Sequence, residues 1–131
     1  MTTFSLCMIV KNEENVLARC LDSLADLMDE IIIVDTGSTD KTKEIAARYT
    51  DRIYDFTWID DFAAARNFAA SKATMEYIYT ADADEFVDPE NHRQIRQLKE
   101  VLLPEVEIVQ MYYCNDLGDY NTTGNFEREL R

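Results

Sequence analysis

Asp82-Ala83-Asp84 is the first set of residues in this 131-residue chain whose types and spacing allow a definite chemistry. At that separation two carboxylates can approach one cation, directly or through water. Hard oxygen donors favour Mg2+ or Mn2+ over softer metals. A divalent ion there would neutralise a diphosphate and stabilise it as a leaving group. The same pair also reads as a solvated loop after a strand, with Asp84 or Asp88 capping the next helix. A lone Asp-x-Asp is common by chance, so its context has to decide.

Two further positions carry comparable options. Asp35 ends a buried apolar run, Ile31–Val34, where its carboxylate can accept hydrogen bonds from a base or a ribose. It equally suits an Asx turn before a helix. Arg66 lies in the Ala-rich stretch 62–72, and a guanidinium on such a helix can reach a phosphate. Its plain alternative is a surface ion pair with Asp60, Asp61 or Glu76. His92, the single histidine, is expected to be exposed and is assigned no role.

Apolar runs alternating with helical patterns must position these groups. Phe4–Val10 reads as a strand buried on both faces. Asn12 is a candidate cap for the helix carrying Val16, Leu17, Cys20, Leu21 and Leu24, with Glu13 and Glu14 in its first turn. Ile31–Val34 is the second strand, and a helix with Ile45, Ala46 and Tyr49 inward begins near Asp40. Arg52–Phe56 is a short third strand. Asp60 or Asp61 caps the helix from Phe62 to Lys72, and Glu76–Thr80 is the fourth strand. Asp88-Pro89 starts a helix with Ile95, Leu98 and Leu102 buried, stopped by Pro104. Val106–Tyr113 is a fifth strand, and the polar stretch Asn115–Arg131 reads as loop.

This alternation predicts an α/β fold with a mainly parallel central sheet flanked by helices. In such open sheets ligands bind beyond the carboxyl ends of the strands. Lys11-Asn12-Glu13, Asp35-Thr36-Gly37-Ser38 and Asp82-Ala83-Asp84-Glu85 all follow strands, so they converge on one sheet edge.

Composition narrows the classes. The chain is 47% hydrophobic with 3 Gly and 2 Pro, enough for one core and unlike a disordered chain. It holds 13 Lys+Arg against 26 Asp+Glu, a net charge of −13 that repels nucleic acid. Cys7, Cys20 and Cys114 form no metal-binding spacing, and the first two read as core filler in a reduced, cytoplasmic setting. No transmembrane or targeting segment is visible in the sequence. A phosphate loop of the G-x-x-x-x-G-K type, a G-x-G-x-x-G fingerprint and a G-x-S-x-G elbow are all absent.

Ser5 to Glu14, Arg19-Cys20-Leu21 with Ser23, Asp29 to Thr42, Trp58 to Asn67 (with Asp61-Phe62-Ala63-Ala64-Ala65-Arg66-Asn67) and Ala81 to Glu85, in this order, resemble family 2 glycosyltransferases of the KNE type. The resemblance implies a Rossmann-like GT-A nucleotide-binding half that takes a nucleoside diphosphate sugar, with a UDP-sugar as the leading expectation. It implies that Ile9, Lys11 and Glu13 line the nucleotide pocket and that Asp35 contacts base or ribose. Arg66 would approach base or diphosphate, and Asp82 and Asp84 would face ribose and metal, Mn2+ or Mg2+. Many relatives carry a base-stacking aromatic where Lys11 stands. In the family the acceptor site, and the base of inverting members, lie in a second half. Residues 1–131 are therefore expected to form one donor-binding domain of a longer protein, with an unknown acceptor and little transfer alone. Exposed edges left by a missing half allow self-association. A nucleotidyltransferase would want a glycine- and basic-rich loop where Lys11-Asn12-Glu13-Glu14 stands. A DxD phosphatase would want its pair near the first strand. A nucleotide-binding or interaction module without catalysis remains the non-enzyme alternative.

Overall fold

The computed structural model describes residues 2–101, 108–114 and 120–128. The strands are β1 (Phe4–Val10), β2 (Glu30–Asp35), β3 (Ile53–Asp55), β4 (Tyr77–Thr80), β5 (Ile108–Cys114) and β6 (Tyr120–Arg128). The helices are α1 (Leu17–Leu24), α2 (Thr42–Ala46), α3 (Phe62–Lys72) and α4 (Pro89–Val101), with a 3-10 turn at Ala25–Leu27. One six-stranded sheet runs in the order β3-β2-β1-β4-β6-β5. β1 pairs in parallel with β2 and β4, and β2 with β3.

The apolar runs of β1 and β2 form strands because both faces are covered. Phe4, Leu6, Met8 and Val10 pack with Leu17, Cys20, Leu21 and Leu24 of α1 and with Ile95 of α4. Cys7, Ile32, Val34 and Ile78 meet Ala69 and Ala73 on the opposite, α3 face. Each fully buried Leu, Ile, Phe or Met contributes about 1.5–3 kcal/mol by leaving water. The small buried side chains of α3, Ala65 and Ala69, let it lie close to the sheet. Asp61 caps α3 by accepting the Ala64 N–H at 3.2 Å, as the sequence predicts. Asp88 accepts the Asn91 N–H at 2.8 Å and opens α4. Cys7 and Cys20 are buried, and burial first of all pushes the Cys20 thiol up to about 12.

Three expectations are corrected. Asn12 does not cap α1: the helix begins at Leu17, its N-cap position is Val16, and no side chain caps it. Asn12 instead takes a left-handed φ of 53°, which turns the chain out of β1. Residues 120–128 are a strand, not loop. β6 pairs antiparallel with both β4 and β5, so it separates β5 from the parallel strands. His92 is half-buried, and its Nε2 lies 2.7 Å from Asp26 Oδ1. Leu102 and Pro104 lie outside the described residues. Among those described, no helix is long and apolar enough to cross a membrane.

Candidate functional site

The loops after β1 and β2 are tied together by their own polar side chains. The Asn12 N–H donates to Ser38 Oγ at 2.9 Å, and Asn12 Oδ1 accepts the Thr39 N–H at 2.8 Å. The Glu13 N–H donates to Thr42 Oγ1 at 2.8 Å, while Glu14 Oε2 accepts the Lys41 N–H at 3.1 Å. Asp40 Oδ1 accepts the Thr42 N–H at 2.9 Å. Asn12, Glu14, Ser38, Thr39, Asp40 and Thr42 therefore serve loop geometry. Gly37, with φ 110°, sits in a conformation that side chains rarely adopt.

Asp35, only 2% exposed, ends β2. Its Oδ1 accepts the Gly37 and Ser38 N–H groups at 2.9 and 2.8 Å, the Asx-turn arrangement. Its Oδ2 is buried and has no hydrogen-bond partner. An orphaned buried carboxylate oxygen is costly unless a partner arrives. The Asx-turn reading is met at Oδ1, and Oδ2 takes no part in it.

The loop after β4 supplies the carboxylates. Asp82, Asp84 and Glu85 each bring an oxygen to within 4.8 Å of the others. The Glu85 N–H donates to the Asp82 carbonyl at 3.0 Å, closing a turn that puts the three on one side. Oxygens bound to one Mg2+ at about 2.1 Å stand no more than about 4 Å apart, so a small closure brings this set to coordination distance. The hard, anionic donors fit such an ion. Burial first, opposed by the backbone hydrogen bond at Asp82 and reinforced by the Asp82 and Asp84 charges, pushes the Glu85 carboxyl up to about 7. Burial, then Asp84, Asp82 and Asp40, push the Glu13 carboxyl upward. That coupling brings the ends of β1 and β4 into one acidic field.

α1 holds this loop in place. Arg19 Nη2 donates to the Asp84 carbonyl at 2.9 Å, and the Arg19 guanidinium lies 4.6 Å over the Phe86 ring. Ser23 Oγ accepts the Val87 N–H at 3.0 Å. Sequence reasoning placed Glu85 in the cluster after the fourth strand but gave it no role, and it missed Arg19 and Ser23 as supports of that loop. Glu85 is adjacent to the motif and was legible in principle. The contacts of Arg19 and Ser23 span 65 and 64 positions and leave no local signal.

Of the remaining predicted residues, Ile9 is half-buried and packs against the α3-side core, whereas Lys11 is exposed at the strand end. Arg66 is exposed on α3. Among the described residues it forms none of the expected ion pairs with Asp60, Asp61 or Glu76; its guanidinium lies 5.0 Å over the Phe62 ring.

A mainly parallel α/β sheet with polar loops gathered at the carboxyl ends of its strands is the class of fold that binds ligands at that edge. Residues 5–129 match the model of glycosyl transferase family 2, and the chain belongs to that family. The SPbeta prophage-derived glycosyltransferase SunS of Bacillus subtilis is 38% identical over 102 residues, covering 76% of this chain and 24% of that protein. A TPR repeat-containing protein of Synechococcus elongatus is 48% identical over 85 residues, covering 65% of this chain and 21% of that one. The chain thus spans about a fifth to a quarter of the length of these curated relatives. Glucosyl-3-phosphoglycerate synthase from Mycobacterium tuberculosis, solved with Mn2+ and UDP-glucose, superposes with a TM-score of 0.55 at 25% identity. That match covers 65% of this chain and 34% of the synthase chain.

Proposed function

We propose that residues 1–131 are the donor-binding part of a glycosyltransferase that takes a nucleoside diphosphate sugar, a UDP-sugar first, with Mg2+ or Mn2+. The observation that carries this reading is the pairing of two features on one sheet edge. Asp35 Oδ2 is buried without a partner, and Asp82, Asp84 and Glu85 converge within 4.8 Å. The first suits a donor group on a base or ribose, and the second suits the cation that accompanies a diphosphate. The synthase solved with Mn2+ and UDP-glucose supports the donor class by likeness.

In this reading Asp82 and Asp84, with Glu85 beside them, hold the ion. When bound it offsets the charge of the diphosphate and of the nucleoside diphosphate that leaves. Ile9, Lys11 and Glu13 line the pocket at the end of β1. Asp35 Oδ2 accepts from base or ribose, while its Oδ1 stays committed to the turn. Arg19 positions the Asp84 backbone, and Arg66 meets base or phosphate. The acceptor and the group that activates it belong to other parts of a longer protein, for which the length of the relatives leaves room. The buried thiol of Cys20 suits a cytoplasmic setting.

Calorimetric titration with UDP, GDP and dTDP in Mn2+ tests the reading. One nucleotide binds selectively, and Asp35→Ala weakens it by roughly tenfold or more, the cost of one hydrogen bond to a charged group. Equal affinity for all three nucleotides with no effect of Asp35→Ala would sink the assignment of Asp35. No binding of any would sink the donor reading for this chain.

A further inference from the structure

Five large apolar side chains among the described residues are strongly exposed: Trp58, Ile59, Phe62, Phe86 and Val101. Three of the five fall in 58–62, the end of the connection from β3 and the first residue of α3. This connection leaves the same sheet edge as the site. Asp35 pairs with Asp55 in register, and the Asp35 carbonyl accepts the Phe56 N–H at 2.9 Å. Trp58 follows Phe56 by two residues, a reach of about 7 Å at most.

The loop holds its tryptophan in a set orientation. The indole Nε1–H donates to Asp60 Oδ1 at 2.9 Å, and Asp60 adopts a left-handed φ of 56°. A non-glycine residue in that region stores of the order of 1 kcal/mol, and such outliers gather where a side chain must be aimed. With its one polar atom occupied, Trp58 has only its ring faces to offer. Trp58 is 40% exposed, and its ring meets Phe62 edge-on at 6.1 Å. The Arg66 guanidinium lies 5.0 Å over Phe62. In a chain of net charge −13, Arg66 has no carboxylate partner among the described residues. A flat aromatic face followed by a free cation matches a ligand that joins a planar ring to anionic groups. Lys11, at the end of β1 beyond β2, has no ring to offer.

We infer that Trp58 is the stacking surface for the nucleobase, steadied by Asp60, with Phe62 and Arg66 continuing the row toward the phosphates. The inference deepens the donor reading above and rests on it. It makes Trp58 a determinant of nucleotide affinity that acts through the base alone.

Trp58 is the single tryptophan of the chain, so its fluorescence reports on this position without interference from another indole. The test is titration of UDP and of pyrophosphate, both with Mg2+, followed by calorimetry and by tryptophan emission. The expected result is that UDP binds and changes the emission, whereas pyrophosphate binds without changing it. Trp58→Ala weakens UDP about tenfold, within the range of base–aromatic stacking, and leaves pyrophosphate unchanged. Trp58→Phe keeps most of the UDP affinity. Calorimetric binding of UDP that neither alters the emission nor weakens in Trp58→Ala would overturn this inference and leave the donor reading standing. Absence of binding by any nucleotide overturns both.

Discussion

The Glu13 N–H and Thr42 Oγ1 are joined at 2.8 Å across 29 positions of sequence, and Thr42 is fully buried. This bond fastens the loop after β1 to the start of α2. It explains why a polar hydroxyl sits inside the molecule. Thr42→Val keeps the shape but strands the Glu13 N–H and removes the hydroxyl that Asp40 Oδ1 accepts. A buried donor left without a partner costs about 1–3 kcal/mol. Urea unfolding of the variant is expected to show that loss with an unchanged m-value. A cost under about 0.5 kcal/mol would show that the loops are held by something else.

Glu30 makes the stability of the sheet depend on pH. It is nearly buried, and burial raises its carboxyl. The Thr74 hydroxyl and N–H, the Ser5 hydroxyl and Arg52 outweigh that and hold the net value below 4.5. The Arg52 contact is 2.9 Å and the Ser5 contact 2.8 Å. Because the folded value is lowered, the folded state binds this proton less tightly than the unfolded state. The stabilisation is complete above pH 4.5 and is lost as pH falls through the lowered folded value. Glu30→Gln should therefore be less stable than wild type at neutral pH, with the gap narrowing in acid. A gap that stays constant with pH would contradict the role of the charge.

The acidic set after β4 trades stability for function in the proposed reading. The charges of Asp82 and Asp84 add to burial in raising Glu85, a cost the metal-free chain bears. Asp82→Asn with Asp84→Asn should leave the thermal midpoint without metal equal or higher, by about 1–3 °C. The stabilising effect of Mn2+ on wild type should vanish in the same variant. Scanning calorimetry with and without Mn2+ reads both effects. A variant that melts well below wild type without metal would show the pair to be structural.

Arg19 is a positioning residue in this account, since it holds the Asp84 carbonyl and not a ligand. Arg19→Ala should weaken metal-dependent nucleotide binding by about tenfold, the scale of outer-shell losses at metal sites. Binding of uridine, which carries no phosphate, should hardly change. Equal losses for both would mean that Arg19 supports the whole fold.

Much of the fold was legible because β1 and β2 are apolar on both faces and because Asp61 and Asp88 mark the starts of α3 and α4. Phe4–Val10 and Asp61 illustrate each. β6 was hidden because Tyr-Asn-Thr-Thr-Gly-Asn-Phe-Glu-Arg has neither an apolar run nor a clean alternation. It becomes a strand through pairing with β4 and β5, with an irregularity at Met111/Tyr112. Asn12 was misread because a cap and a left-handed turn favour the same residue type. The carboxylate loops were found correctly as clusters at strand ends. Their supports, Arg19 and Ser23, were not, since only folding brings α1 to the loop after β4.

The central claim is that the end of β2 and the loop after β4 hold one ligand between them. The most direct measurement is the affinity of UDP and of uridine, each with and without Mg2+, for wild type and for Asp82→Ala with Asp84→Ala. The account predicts that Mg2+ tightens UDP but not uridine in wild type. It predicts that the double variant loses the Mg2+ effect while keeping uridine binding. UDP affinity that ignores Mg2+, or a Mg2+ effect that survives loss of both aspartates, would contradict it.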